Sequence, residues 1–249
     1  MGLGESYRQA LALARQELGR ASGEELGRRV AAAGAELLPP GSPGAGPAGA
    51  IRVSFLGRPL LVSLPDAVVV PAGGASLAQE EPAVAGGPAP GQQGRAAGGE
   101  AAEVPQWLAI LTLHYLNGAG GEPLTGELIP FRDLPGGRVY DSNFEKRVRA
   151  RLVRAFSHQP ALLLEVAARL GGEAVDMGDA GVRLVTFPRV PLWLVLWAAD
   201  DEFPAGANVL FDSSVRSYLC TEDAVVLCEQ VTSELIKMVR EGEVRRQGA

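Results

Sequence analysis

Apolar residues recur at helical spacing from the start of the chain. Tyr7, Ala10, Leu11, Ala14 and Leu18 share one side of a cylinder that carries Arg8, Arg15 and Glu17 elsewhere. That spacing predicts a helix from Ser6 to about Leu18. A second predicted helix, Glu24–Ala35, opens with Ser22 and Glu25 in the Ser-x-x-Glu pattern of a capping box. Pro39-Pro40 ends it, because proline cannot continue a helix. The period then drops to two. Ile51–Phe55 and Leu60–Leu64 read as antiparallel strands joined through Gly57-Arg58-Pro59, with Val68–Val70 as a candidate third. From Pro71 to Glu103 large apolar groups almost vanish in favour of Ala, Gly, Pro and Gln. Such a segment buries too little surface to offset its ordering entropy, so we expect a disordered insertion over 71–103. It separates an N-terminal part, 1–70, from a main part, 104–249, and we expect the two to form one composite domain.

Helical spacing returns in Val104–Asn117, where Trp107, Leu108, Leu111, Tyr115 and Leu116 lie on adjoining faces and Gly118 is the predicted stop. Ser142 and Glu145 repeat the capping-box pattern and predict a helix from there to about Phe156. Another is predicted over Pro160–Leu170. Glu173–Val175, Val182–Phe187 and Leu192–Ala198 read as strands, the last apolar on both faces and therefore interior. Trp193 and Trp197 point to the same face of that strand, and we expect both in the core. Thr221 is the predicted cap of a final helix reaching about Arg240, with Glu222 and Asp223 at its positive end. This order predicts an α+β fold: a mostly antiparallel sheet with helices packed on one face.

Hydrophobic residues make up 47% of the 249 and charged residues 21%, which suffices for a sizeable core. The net charge of −6 argues against a general binder of nucleic acid or anionic membrane, which needs clustered Lys and Arg. No apolar run reaches the roughly 18–20 residues that span a bilayer, and no secretory signal is visible. Gly2 and Ser6 fit the spacing of a myristoylation motif, although a helix start explains them equally. Cys220 and Cys228 are the only cysteines, too few for a four-cysteine cluster, and reduced thiols in a cytoplasmic protein are expected.

Two blocks interrupt these regular patterns: Leu111–Tyr140 and Phe187–Asp223. Each mixes aromatics, prolines, glycines and carboxylates, the composition of irregular backbone held by specific side chains, as in binding sites. The stretches LHYLNGAGGEPLTGELIPFRDLPGGRVY, GDAGVRLVTFPRVPLWLVLWAADDEFPAGANVLFDSS and SYLCTEDAVVL resemble the prokaryotic family Domain of Unknown Function 3786. With the N-terminal helix and FLGRPLLVSLP, the resemblance covers the chain apart from its Gly/Pro/Ala-rich insertions. It implies a setting among anaerobic bacteria and archaea, where some members are joined to a cysteine-rich iron–sulfur segment. This chain lacks the cysteines for one, so a redox role implied by the resemblance requires a protein partner. The resemblance assigns no catalytic residue.

Candidate chemistry is sparse. Asp200, Asp201 and Glu202 follow a predicted buried strand and are candidate oxygen ligands for a metal. A solvated turn accounts for them too, and the spacing matches no calcium loop. His114 is a candidate base or ligand contact; a hydrogen-bonded histidine at the edge of the core is the plainer reading. Arg147, Arg151 and Arg154, with His158, form one predicted helical stripe that could hold an anion, pair with acidic groups of the same chain, or simply be solvated. The glycines fit neither nucleotide-binding pattern, and Ser213-Ser214 lacks a nucleophile elbow. We expect the two blocks to meet in one polar pocket drawing on His114, Tyr115, Arg132, Asp200, Asp201, Glu202 and Asp212. That makes the chain a ligand- or cofactor-binding accessory protein, with a small-molecule ligand or a redox protein partner and no cofactor identified. The alternatives are a metal-dependent enzyme built on the Asp-Asp-Glu cluster, or a protein-interaction module with no small-molecule site.

Overall fold

The computed structural model describes residues 3–21, 23–73 and 104–247. Gly2, Ser22 of the first capping box and nearly all of the expected disordered insertion lie outside them. The chain opens with α1 (Leu3–Arg20) and α2 (Gly23–Ala32). Ala14 and Leu18 of α1 are buried at 3% and 1% exposure, whereas Tyr7 at the open end of the same stripe is 39% exposed. Four short strands follow: β1 (Glu36–Leu38), β2 (Ala50–Phe55), β3 (Arg58–Ser63) and β4 (Val69–Pro71), paired in that order and all antiparallel. The β2–β3 turn consists of Leu56 and Gly57, both left-handed (φ 50° and 71°). Two such residues match the right-handed twist of the flanking strands. A leucine is unusual there; its side chain is buried and its N–H donates to Thr186 O at 2.8 Å.

The second sheet has five strands: β5 (Leu128–Pro130), β6 (Glu173–Val175), β7 (Ala180–Phe187), β8 (Val190–Trp197) and β9 (Gly206–Asp212), in the spatial order β5-β9-β8-β7-β6. All its pairings are antiparallel. The α+β expectation holds, with the strands divided between two sheets. The central strand is β8, whose Val190 through Leu196 are buried except Trp193, in keeping with its unbroken apolar run. The two tryptophans do not join the core. Leu192, Leu194 and Leu196 take the inner face, which turns Trp193 and Trp197 outward; Trp197 is 44% exposed and Trp193 lies under the Arg183 guanidinium of β7.

Between β5 and β6 come α3's successors. The helix α3 spans Gln106–Gly118, and after β5 the chain forms α4 (Gly137–Phe144), a π-helical turn (Glu145–Arg149), α5 (Ala150–Phe156) and α6 (Pro160–Ala168). The predicted capping box at Ser142 does not start a helix. Gly136, left-handed at φ 73°, caps α4 six residues earlier, and Glu145 instead pairs with Arg149. Phe144, Val148, Leu152 and Phe156 are all buried, at intervals of four. In a regular helix each such step overshoots a full turn by about 40°, so three steps would drift about 120°. The π turn, marked by the Ala150 N–H bonding to Glu145 O, absorbs about one residue and keeps all four on the sheet side. The last helix, α7 (Thr221–Gln247), packs on α3, α5 and α6.

One cluster of buried side chains runs from Ala14 through both sheets to Leu235. At its centre the Tyr115 ring of α3 stacks on Phe187 of β7 (4.5 Å), which meets Phe55 of β2 (5.1 Å). Among the described residues no helix is long and apolar enough to cross a membrane.

Candidate functional site

The two blocks meet. Asp212, at the end of β9 and 2% exposed, accepts hydrogen bonds from Thr125 N and Oγ1 (both 3.0 Å), Gly126 N (2.8 Å) and Ser214 N (3.0 Å). Burial pushes its carboxyl up, but these donors more than reverse that and hold it at about 2. Further stitches run alongside. Ser213 N donates to Glu127 O (2.8 Å), Gly120 N to Ser217 O (2.8 Å) and the Tyr218 hydroxyl to Glu122 O. Thr221 is the first residue of the last helix and donates its hydroxyl to Pro135 O at 2.6 Å, so the cap position falls one residue earlier than predicted, on Cys220.

A cleft of about 310 Å³ opens at this junction, lined by Glu17 of α1, His114 and Asn117 of α3, and Arg216, Cys220 and Asp223 around the start of α7. Its centre is a carboxylate with two partners. Asp223 Oδ1 lies 2.8 Å from His114 Nδ1, and its Oδ2 accepts from the Cys220 thiol at 3.1 Å. The bond to Asp223 raises the His114 pKa above its usual 6.5, burial opposes the rise, and the charges of Asp223 and Glu17 add to it. A carboxylate on Nδ1 assigns that nitrogen the proton and turns Nε2 into the variable site of the ring. Nε2 has no hydrogen-bond partner among the described residues, and the side chain is 35% exposed. The Cys220 thiol is pushed up to about 12, first by burial and then by Asp223, so at neutral pH it is a neutral donor and not a nucleophile. What this arrangement can do is hold an oriented imidazole in contact with a ligand and exchange a proton with it.

Of the predicted pocket residues, only His114 lines this cleft. Tyr115, next to it on α3, points the other way. It is fully buried, donates to Ala33 O (2.6 Å) and accepts from Arg189 N (3.2 Å), and burial raises its pKa. Arg132 is exposed beside a separate shallow depression shared with Arg138. Asp212 is spent on the stitch. Asp200, Asp201 and Glu202 stand exposed in the β8–β9 loop, where Asp200 Oδ1 accepts from the N–H groups of Glu202 (2.9 Å) and Phe203 (2.6 Å). Those bonds lower the Asp200 pKa. Among the described residues no group of three His, Cys, Asp or Glu side chains could hold a metal ion. The arginine stripe is partly engaged with α7: Arg147 donates to Glu229, and Arg151 to Ser233 Oγ at 2.9 Å, while Arg154 and His158 are exposed. Cys220 and Arg216 carry no site signal in the sequence beyond position, at the end of the second polar block, and Asp223 reads there as a charge at the helix start.

Residues 90–234 match the family described as Domain of unknown function (DUF3786). The chain belongs to this family. The DUF3786 span holds His114, Arg216, Cys220 and Asp223, while Glu17, on the α1 wall of the cleft, precedes it. No curated protein and no solved structure matches the chain.

Proposed function

We propose that this DUF3786 protein is a ligand-binding accessory protein whose site is the cleft at the junction of the two blocks. The observation that carries the reading is the His114–Asp223 pair: an imidazole held at 2.8 Å on one nitrogen and about one-third exposed, with a cleft on its other side. Such a ring is oriented before any ligand arrives, so little order is lost on binding. The cleft volume falls at the lower end of the range for small-molecule pockets. The acidic loop offers less, because the Asp200 carboxylate already closes its own turn. In keeping with two free thiols, Cys220 and Cys228, we place the protein in the cytoplasm. The family resemblance favours a setting in anaerobic metabolism beside a redox partner.

The test is a fragment screen read at the ring nitrogens of His114 by ¹⁵N-correlated NMR, repeated with His114→Ala. Fragments that shift His114 and lose their affinity in the variant support the cleft as the site. A screen whose hits all bind elsewhere, leaving His114 unmoved, sinks it.

A further inference from the structure

Resting on that reading, we infer that the ligand is a small oxyanion, a carboxylate or phosphate group gripped between Arg216 and the imidazolium of His114. The donors and acceptors of the cleft decide this. Both Asp223 oxygens are taken, one by His114 and one by the Cys220 thiol. Both ends of the Asn117 amide are taken as well: its nitrogen donates to Ala14 O (3.0 Å) and its oxygen accepts from Arg29 (3.3 Å). The Tyr218 hydroxyl is bound to Glu122 O. What remains open is a set of donors, with the Glu17 carboxylate on the α1 wall as the one side-chain acceptor left, 3.7 Å from Arg29. Arg216 is exposed and has no hydrogen-bond or ion-pair partner among the described residues. When protonated, the His114 ring adds an Nε2–H, its Nδ1–H being held by Asp223. A ligand that satisfies these two donors must bring acceptors, and a forked guanidinium matches a carboxylate or phosphate best.

The charges facing His114 come from two sides. Asp223, with the neutral Cys220 thiol, faces it from the start of α7 and Glu17 from α1, while Arg216, in the turn before α7, lines the same cleft without acting on the His114 charge. Glu17 opposes an anion; Arg29 of α2 stands 3.7 Å from its carboxylate but is shared with Glu25 at 2.7 Å, so it offsets only a small part of that charge. Asp223 alone balances the imidazolium. An incoming anion is drawn by Arg216, which has no ion-pair partner among the described residues, and is opposed by Glu17. Because the ring donates through Nε2 only when protonated, affinity falls as pH rises through the His114 pKa.

The experiment titrates the wild-type chain with inorganic phosphate, malonate and the neutral malonamide, reading the His114 ring nitrogens, and repeats the series with Arg216→Gln. Arg216 is solvent-exposed, so the variant keeps the fold. We expect phosphate or malonate to shift His114, and whichever acts alone identifies the preferred oxyanion. Binding should weaken about tenfold or more in Arg216→Gln, in line with the loss of a charge-assisted hydrogen bond. Malonate should also bind more weakly at about pH 9 than at about pH 6.5. Malonamide should leave the ring unmoved. Malonamide binding as well as malonate, or Arg216→Gln binding like wild type, overturns the anion assignment while the cleft stands as a ligand site. No shift with any of the three up to about 100 mM overturns the assignment too. The fragment screen then separately decides whether the cleft binds anything.

Discussion

Replacing Asp212 by asparagine removes the negative charge that joins the two blocks while keeping the side chain's shape. The carboxylate accepts from three backbone N–H groups and one hydroxyl. An amide presents one oxygen to those donors and turns its own N–H₂ toward the rest. Lowering a buried carboxyl from 3.8 to about 2 corresponds to roughly 2.5 kcal/mol of folding stability at neutral pH. Adding the donors left facing an amide nitrogen, we expect Asp212→Asn to cost about 2–4 kcal/mol and to lower Tm by roughly 5–12 °C. The sign of the pH dependence follows from a depressed folded pKa. The contribution is complete above the unfolded pKa near 3.8 and disappears as pH falls through about 2. At pH 3 about half should remain. Urea unfolding followed by circular dichroism at about pH 7 and pH 3 measures both values, and hydrogen exchange at Thr125 and Gly126 localises the loss. A variant within about 0.5 kcal/mol of wild type at neutral pH, with those amides still protected, would refute the stitch as the link between the blocks.

Three further outcomes follow from the same geometry. Tyr115→Phe strips the hydroxyl from Ala33 O and Arg189 N deep in the core, and should cost about 1–3 kcal/mol in urea unfolding while leaving His114 ring shifts unchanged. The His114 pKa, followed by NMR titration, should lie above 6.5 in wild type and drop in Asp223→Asn. The stability lent by that pair is present below 6.5 and lost as pH rises through the raised value, so the two proteins should converge in alkaline solution. Exposed Cys220 should alkylate slowly at neutral pH, and Asp223→Asn should accelerate it by removing a charge that holds the proton on sulfur; equal rates would show that Asp223 does not govern the thiol.

Where local pattern was strong, the sequence reading and the structure agree closely. Glu173–Val175 has the predicted bounds, and the helix ending at Gly118 and the strand through Leu192–Leu196 fall where expected. The failures have identifiable physical causes. In β8 residues of both parities are apolar, so alternation could not say whether the leucines or the tryptophans face inward. The strand β9 carries Gly206, Asn208 and Asp212, which weaken a strand signal, and it was read as irregular. β1 (Glu-Leu-Leu) and β5 (Leu-Ile-Pro) show no alternation of apolar and polar residues. His114 and Tyr115 are neighbours about 100° apart on a helix. One reached the cleft and the other the core, and only packing could decide which. The partner of His114 lies 109 residues away, a distance no motif spans.

The π turn between α4 and α5 makes chain length locally negotiable. It holds one residue more than a regular helix needs to carry Phe144, Val148, Leu152 and Phe156 along the sheet. Deleting exposed Lys146 would let the segment relax into an unbroken α-helix of eleven steps from Phe144 to the former Phe156, a drift of only about 20°. Both flanks would stay in register. Elsewhere in these helices the loss of a residue would swing every later side chain by about 100° and pull the core apart. This is therefore the point at which the helical layer of this chain tolerates the loss of a residue.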